Sequence, residues 1–297
     1  MALLRLATRT SPLALWQAGR VADLARAADP ALVVEVVPVD TQADQDLDVP
    51  IWELGGKGAF ATEVQAAVLD GRADAAVHSA KDLPSTTPDG LVLAAVPERG
   101  DDRDALVGST LAGLPNGATV ATGSLRRRAQ LAAVRPDLRF VGLRGNMATR
   151  LRKAADHDAI VVAAVALERL GLDDRIAERL GTDVVLPQVA QGALAVECRA
   201  DDAAGRSRWV ALEDPVARRE VDAERAFLAE LGGDCRLPVA ARAVVGPAAV
   251  AVRGLLASAD GTTVLRHEAV AADGEAAGRA LARHLLDVQG GADLLVT

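Results

Sequence analysis

Short apolar runs alternate with longer amphipathic stretches through the first two thirds of the chain. Because apolar runs of about four to eight residues are typical of strands and amphipathic stretches are typical of helices, the alternation predicts α/β sheets. The predicted fold class is therefore α/β for this part of the chain. The predicted strands are Leu3–Thr8, Leu32–Val37, Ala75–His78, Leu91–Val96, Thr119–Thr122, Ala159–Ala164 and Leu194–Glu197.

Two helices of this region can be placed from their end signals. Ser11 is a good helix N-cap, and proline follows it at the first helical position, which predicts a helix through about Arg26. A second helix is predicted from Thr62 to Leu69, where Gly71 ends it.

Around Pro215 the pattern changes. A helix is predicted over Val216–Leu231, followed by strands that the Asp260-Gly261 turn joins as a hairpin, and a closing helix from about Glu275 to Val288. This last part is expected to form a small α+β domain.

Charged and polar stretches predict where the domains meet. Glu98–Arg103 separates two α/β domains, and the chain is expected to return to the first of them near Ala190–Arg199. With 297 residues, half of them hydrophobic, the chain is long enough for several domains. The predicted limits are residues 1–98 and 193–212 for domain 1, 99–192 for domain 2 and 213–297 for domain 3.

Nine basic residues lie between Arg126 and Lys153 in a chain whose net charge is −8, and Asp137 is the only acid among them. Eight of the nine are arginines, whose planar guanidinium matches carboxylates and phosphates in fixed orientations. The cluster predicts a ligand with several anionic groups. Its members are Arg126, Arg127, Arg128, Arg135, Arg139, Arg144, Arg150, Arg152 and Lys153.

Nucleic-acid binding and a solvated helical face are two other interpretations of this cluster. Nucleic acid is disfavoured because the chain is acidic and has three Trp, three Phe and no Tyr for base stacking. A solvated helical face explains five of the nine: Arg128, Arg135, Arg139, Arg152 and Lys153. The other four stand beside Gly, Ser, Thr or Asn at predicted strand-to-helix turns, where backbone N–H groups also point at anions: Arg126, Arg127, Arg144 and Arg150.

Polar residues follow several predicted strands. Ligands of open α/β sheets bind at the carboxyl ends of strands, so Thr8–Ser11, His78–Asp82 and Thr122–Arg127 are candidate site segments. Asp82 beside Lys81 could stay ionised and stabilise a developing positive charge. Asp82 could equally cap a turn before proline, and the motif alone leaves both open.

The two cysteines, Cys198 and Cys235, are too few for a disulfide framework or a four-ligand zinc site, and the four histidines lack metal-ligand spacing. No metal is expected. Cys235 follows Gly232-Gly233-Asp234 in a polar loop, which suits a nucleophile or an attachment point. Cys198 lies in an apolar strand, which predicts a buried small hydrophobe.

The loop Gly55-Gly56-Lys57-Gly58 does not fit a phosphate-binding loop, because no Ser or Thr follows the lysine. A flexible cationic lid is the better interpretation. The first residues lack the pattern of a secretory signal, and no run approaches about 18 apolar residues, so a cytoplasmic protein without a membrane span is expected.

Taken together and in order, these segments resemble the porphobilinogen deaminases, also called hydroxymethylbilane synthases. The resemblance runs nearly from end to end. Its motifs are Ala7–Ala14, Gly55–Gly58, His78–Pro84, Ser124–Arg127, Leu143–Asn146, Gln191–Ala193, Glu197–Arg199, and Cys235 before Pro238.

The resemblance implies two α/β domains similar to type II periplasmic binding proteins, plus a small C-terminal α+β domain. It implies a transferase that joins four porphobilinogen molecules head to tail into hydroxymethylbilane and releases ammonia, on a dipyrromethane cofactor held by a thioether to Cys235. Asp82 is then the catalytic carboxylate. The implied cofactor- and substrate-binding residues are Arg9, Ser11, Lys81, Thr122, Ser124, Arg126, Arg127, Arg144, Arg150, Arg169 and Gln191.

By the same resemblance we expect a monomer, without nucleic acid or membrane partners, whose product passes to uroporphyrinogen-III synthase as a candidate partner. The alternative is a non-catalytic module that binds a small polycarboxylate in the same cleft. Such a module would need neither Asp82 nor Cys235.

Overall fold

The computed structural model describes residues 3–41, 60–232 and 237–295, which form three β-sheets and the helices packed on them. The strands are β1 Leu3–Arg9, β2 Val33–Val39, β3 Ala75–Ser79, β4 Leu91–Ala95, β5 Asp104–Val107, β6 Thr119–Ala121, β7 Arg139–Val141, β8 Ala159–Ala163, β9 Glu178–Arg179, β10 Leu194–Arg199, β11 Val239–Val245, β12 Val250–Ala257 and β13 Val264–Ala271. The α-helices of these residues are α1 Pro12–Ala28, α2 Thr62–Leu69, α3 Leu125–Val134, α4 Met147–Lys153, α5 Ala164–Glu168, α6 Ala203–Val210, α7 Pro215–Glu230 and α8 Gly274–Arg283.

The two larger sheets repeat one topology. Their strand orders are β2-β1-β3-β10-β4 and β7-β6-β8-β5-β9. In each sheet the strand that pairs antiparallel with both neighbours is the one the chain enters directly after crossing from the other sheet, β10 in the first and β5 in the second. This paired arrangement is the type II periplasmic-binding-protein architecture, and with the separate third sheet it confirms the predicted fold class.

All seven predicted strands are present, with ends that differ by one or two residues. Three strands of the second sheet escaped prediction: β5, β7 and β9. They have only four, three and two residues, and each carries a charged residue where a periodic apolar pattern would be sought. Their conformation depends on pairing within the sheet rather than on local pattern.

The chain crosses between the two large sheets twice: the first crossover joins β4 to β5 and the second joins β9 to β10. These two crossovers run side by side. The backbone N–H of Gly100 donates to the carbonyl of Gly192 over 3.1 Å. Gly192 has φ +89°, and a Cβ there would press on the carbonyl of Gly100, so only glycine fits this approach. We propose that the domains have the predicted limits, at 98/99, 192/193 and 212/213. The first two of these limits fall within the crossovers.

The third sheet, β11-β12-β13, packs on α7 and α8 and shares a core with the first sheet region. One apolar cluster joins Phe227 and Leu281 of these helices to Ala80 and Leu83, which directly follow β3. The hairpin between β12 and β13 meets the second sheet region, because Gly261 approaches the backbone carbonyl of Ala129 in α3. The third sheet together with α7 and α8, here called the third sheet unit, therefore contacts both large sheet regions next to their polar strand ends.

Gly261 and Gly117 provide a matched test of this docking, because both have φ +76°. An added Cβ meets open space at Gly117 but the Ala129 carbonyl at Gly261. Replacement by alanine should cost about 1–2 kcal/mol from backbone strain alone at either site. Gly261→Ala should cost about 1 kcal/mol or more beyond Gly117→Ala, because the carbonyl cannot move cheaply. Urea unfolding of both variants measures the difference, and equal losses would contradict the packing described.

Candidate active site

A tight turn at the end of β3 presents Lys81 and Asp82. The turn, Ala80–Asp82, is fixed by a 3.0 Å bond from the Ala80 N–H to the carbonyl of Ala193, next to β10. The Lys81 Nζ donates to Gln191 Oε1 over 3.1 Å, and Gln188 Nε2 donates to the Lys81 carbonyl. The carboxylate of Asp82 is half-buried and forms no hydrogen bond or ion pair with the residues that the structure describes.

Across the cleft, Asp104 at the start of β5 is fully buried and organises the arginines of α3. Its Oδ1 accepts from Arg127 Nε and Nη2 at 3.0 and 2.8 Å, and from Gln191 Nε2 at 2.8 Å. Arg126 Nη1 lies 2.8 Å from its Oδ2. Although burial opposes ionisation, the two guanidinium groups outweigh it and hold the pKa of Asp104 well below its ordinary value.

Gln191 connects the two sides of the cleft. Its side chain is fully buried, accepts from Lys81 and donates both to Asp104 and to the carbonyl of Asp102. Burial, with a smaller effect of the charge on Arg127, lowers the pKa of Lys81 to about 8. The charges of Asp82 and Asp104 oppose this shift only in part, and the carboxylate of a ligand would oppose it further, so Lys81 is suited to hold an anion.

A partly open cavity lies where the three sheet regions meet. We call it the central cavity; its lining includes Lys81, Leu83, Ser124, Arg126, Arg225 and Leu237. Arg126 is 3 % exposed, yet its Nε and Nη2 atoms have no hydrogen-bond partner among the residues that the structure describes. Because buried donors are normally satisfied, these two nitrogens are candidates to bind the acceptors of a ligand.

A second group of arginines adjoins Asp82. Burial, together with the charges of Arg127, Arg144 and Arg9, lowers the pKa of Arg150 to about 10, and the charge of Asp82 opposes this shift in part. Arg150 Nε donates to the carbonyl of Gly145, and the Arg9 guanidinium stacks 4.5 Å above the Phe60 ring. These cations and the one carboxylate are therefore close enough to act on one another.

The remaining expected site residues have structural partners. Ser11 and Ser124 cap α1 and α3 by accepting from Ala14 and Arg127 backbone N–H groups, and the buried Thr122 hydroxyl accepts from the Ser124 N–H. Arg169 stands apart, donating to the carbonyl of Gly192 and lying over the ring of Trp16. Of these residues, Ser124 lines the central cavity.

Some of the residues singled out in the sequence lie away from the cavity or outside the described residues. The four arginines and one lysine assigned to a solvated face are exposed or half-buried and do not line the cavity. Cys198 is buried in β10, as predicted, and burial raises the pKa of its thiol to about 11. Cys235 and the lid prediction on Gly55–Gly58 lie outside the described residues.

Sequence reasoning missed Asp104, Gln188 and Arg225. Asp104 follows the charged stretch taken as a domain boundary and precedes the apolar run Ala105-Leu106-Val107. An acid opening an apolar strand was the available signal. Arg225 had none, because its helix contains other arginines at similar positions.

Within the described ranges, no helix is long and apolar enough to cross a membrane. Nor do three or more His, Cys, Asp or Glu side chains gather there as they would around a metal ion.

Comparison with known families agrees with this geometry. Residues 4–207 match the family model described as "Porphobilinogen deaminase, dipyromethane cofactor binding domain", and residues 218–287 match "Porphobilinogen deaminase, C-terminal domain". The two matches cover both large sheets and most of the third sheet unit.

Similar full-length proteins carry the same description. The porphobilinogen deaminases of Roseiflexus castenholzii and Roseiflexus sp. strain RS-1 are 48% and 49% identical to the chain, each alignment covering 97% of both proteins. The porphobilinogen deaminase of Syntrophotalea carbinolica is 48% identical over 95% of this chain and 92% of its own length.

The fold and the side chains of the site define an α/β protein with a cationic cleft between its two large sheets. The chain belongs to the porphobilinogen deaminase family. It is accordingly a transferase of tetrapyrrole biosynthesis with a dipyrromethane cofactor, as the sequence motifs predicted.

Asp104→Asn tests the organisation of the site. The substitution leaves two buried guanidinium groups without their counter-charge and should cost about 3–5 kcal/mol of unfolding free energy at pH 7. Since the folded pKa of Asp104 is depressed, its contribution is present above about pH 3.9, the unfolded value, and is lost as the pH falls further. Wild type and variant should therefore converge in acid.

Urea unfolding at pH 7 and in acid measures both effects. Asp137→Asn is the matched control, because Asp137 pairs with Arg135 at the exposed surface and should change little. A loss for Asp104→Asn no greater than that of the control would refute the assignment.

Proposed function

We propose that this chain joins four porphobilinogen molecules head to tail on a dipyrromethane attached to Cys235, with the cofactor carboxylates held in the central cavity. The observation that carries the proposal is Arg126, a residue of the cavity wall whose Nε and Nη2 are buried without a hydrogen-bond partner in the described part of the chain. Each pyrrole ring of the cofactor bears an acetate and a propionate, and buried carboxylates require paired, hydrogen-bonded cations.

The cations present fit that requirement. Arg126 and Lys81 line the cavity, and Ser124 adds a neutral hydroxyl group to the lining residues. All three guanidinium nitrogens of Arg127 already donate, to Asp104 and to the Val161 carbonyl, so it supports the wall largely by fixing Asp104. The bound cofactor supplies the nucleophilic pyrrole on which the chain grows.

Attachment at Cys235 is supported by the position of Leu237, two residues later in the sequence, which lines the central cavity. Cys198 is the alternative thiol. It is fully buried in β10, and its raised pKa disfavours the reactive thiolate.

Asp82 is proposed as the catalytic carboxylate. When a porphobilinogen loses ammonia, its methylene carbon becomes cationic before the new C–C bond forms, and an unpaired carboxylate can stabilise that charge. Asp82 acts electrostatically on Arg150 and Lys81. Arg9, Arg144 and Arg150 would then hold the carboxylates of the incoming substrate or the growing chain.

Further parts of this proposal concern the remaining expected residues and the setting. Ser11, Thr122, Arg169 and Gln191 would position the cations and backbone around the same carboxylates. A cytoplasmic monomer that passes its unstable product to uroporphyrinogen-III synthase is proposed on the family's behaviour. The binding-module alternative requires no covalent cofactor.

The mass of the intact denatured protein tests attachment. Wild type should weigh two pyrrole units more than the sequence, and Cys235→Ala should lose that mass together with the colour given by an aldehyde reagent. Cys198→Ala is the matched control and should keep both. An unmodified mass from active wild-type protein would refute the attachment.

Asp82→Asn should fold and keep the cofactor but lose activity by about 100-fold or more, because the charge it stabilises appears only during the reaction. Product formation at saturating porphobilinogen is the measurement. Asp89→Asn, in an exposed part of the following loop, is the control and should stay near wild type. Retention of a tenth of the activity by Asp82→Asn would remove Asp82 from its catalytic role.

A further inference from the structure

Arg225 of helix α7 brings a third cation to the central cavity. The cavity lining includes Lys81 from the turn after β3, Arg126 from α3 and Arg225 from the third sheet unit. Each of the three structural regions thus contributes one cation to the same space.

The backbone at this point is fixed by the preceding residue. Glu224 is fully buried and accepts from both terminal nitrogens of Arg99, at 2.8 and 3.1 Å, in the first crossover. It also accepts from the backbone N–H groups of Ala190, in the second crossover, and Ala243, in β11. Helix α7 is therefore held against both crossovers, so the backbone from which the Arg225 side chain extends is rigid.

Arg225 lacks a direct partner there. Its guanidinium forms no hydrogen bond with any residue that the structure describes, and burial lowers its pKa despite the fields of Glu197 and Asp222. Glu197 instead accepts from Gln65 Nε2 at 2.8 Å and lies 3.2 Å from His78 Nε2. Asp222 accepts from Arg218 Nε at 2.7 Å.

Among the described residues the five guanidinium donors of Arg225 meet no acceptor, and an acceptor on a ligand would offset the cost of their partial burial. Glu197 compensates part of its charge from a distance, which leaves the donors available to a ligand in the cavity. Because Lys81, Arg126 and Arg225 all line the cavity, the acceptor is expected to be anionic.

We propose that Arg225 is a further carboxylate-binding residue of the central cavity and takes a carboxylate of the dipyrromethane cofactor. The inference rests on the proposed function and extends it by one residue, supplied by the third sheet unit. Cofactor loading would then tie helix α7 to α3 and to the turn after β3, since all three reach the same ligand.

Thermal unfolding of four proteins tests this residue: wild type and Arg225→Gln, each with and without Cys235→Ala. In the cofactor-loaded pair, Arg225→Gln should lower Tm by at least about 2 °C, because a charge-assisted contact is lost. In the Cys235→Ala pair it should leave Tm unchanged or raise it, because an uncompensated cation is removed. A purely structural arginine would shift both pairs equally.

Arg219→Gln, exposed on the same helix, is the matched control and should change neither pair. If the Cys235→Ala proteins do not fold, the fraction of each single variant carrying the pyrrole mass decides: Arg225→Gln should carry less than Arg219→Gln, and Arg225→Lys an intermediate amount.

Equal Tm losses in both pairs, no loss in the loaded pair, or full pyrrole loading of Arg225→Gln where loading decides, would overturn the role of Arg225 and leave the proposed function standing. A wild-type protein without the pyrrole mass would overturn the proposed function and, with it, this inference. Mass and Tm thus separate the two failures.

Discussion

The buried carboxylate of Asp104 is the interaction on which the cationic cleft depends. Arg126 and Arg127 are 3% and 6% exposed, and two guanidinium groups so close together could not stay buried without a counter-charge. Asp104 supplies it, and through Gln191 it also reaches Lys81 on the other side of the cleft. One acid therefore aligns the arginine helix, the returning crossover and the turn that presents Asp82.

Glu224 plays a corresponding part behind the cleft, where it binds both crossovers and β11 through Arg99 and two backbone N–H groups. Because a buried charge is stable only with nearly complete hydrogen bonding, each of these carboxylates fixes several chain segments at once. Arg126 and Arg225, which keep donors without an acceptor among the described residues, both line the cavity. Preorganisation of this kind lets a ligand's carboxylates bind without first moving the arginines apart.

The sequence predicted the features that local pattern determines. Apolar runs identified the central strands, Ser11-Pro12 marked the start of α1, and Asp260-Gly261 marked the hairpin. Neighbouring Gly and Ser residues also separated Arg126 and Arg127 from the exposed Arg128, although all three are adjacent.

Partner choice across the fold could not be predicted in the same way. Asp104 meets Arg127 only because the chain crosses to the second sheet before β5 and β5 then pairs with β8. No local pattern encodes that contact. Likewise, Arg218 and Arg225 occupy one helix, but Arg218 finds Asp222 while Arg225 faces the cavity. Such differences arise from the position of a residue on a packed helix, not from its type.

A crystal structure of the cofactor-loaded protein tests the central claim most directly. The account predicts a cofactor carboxylate oxygen about 2.7–2.9 Å from Nε or Nη2 of Arg126, with the Asp104 contacts retained. Pyrrole rings bound elsewhere, with those two nitrogens facing only water, would contradict it.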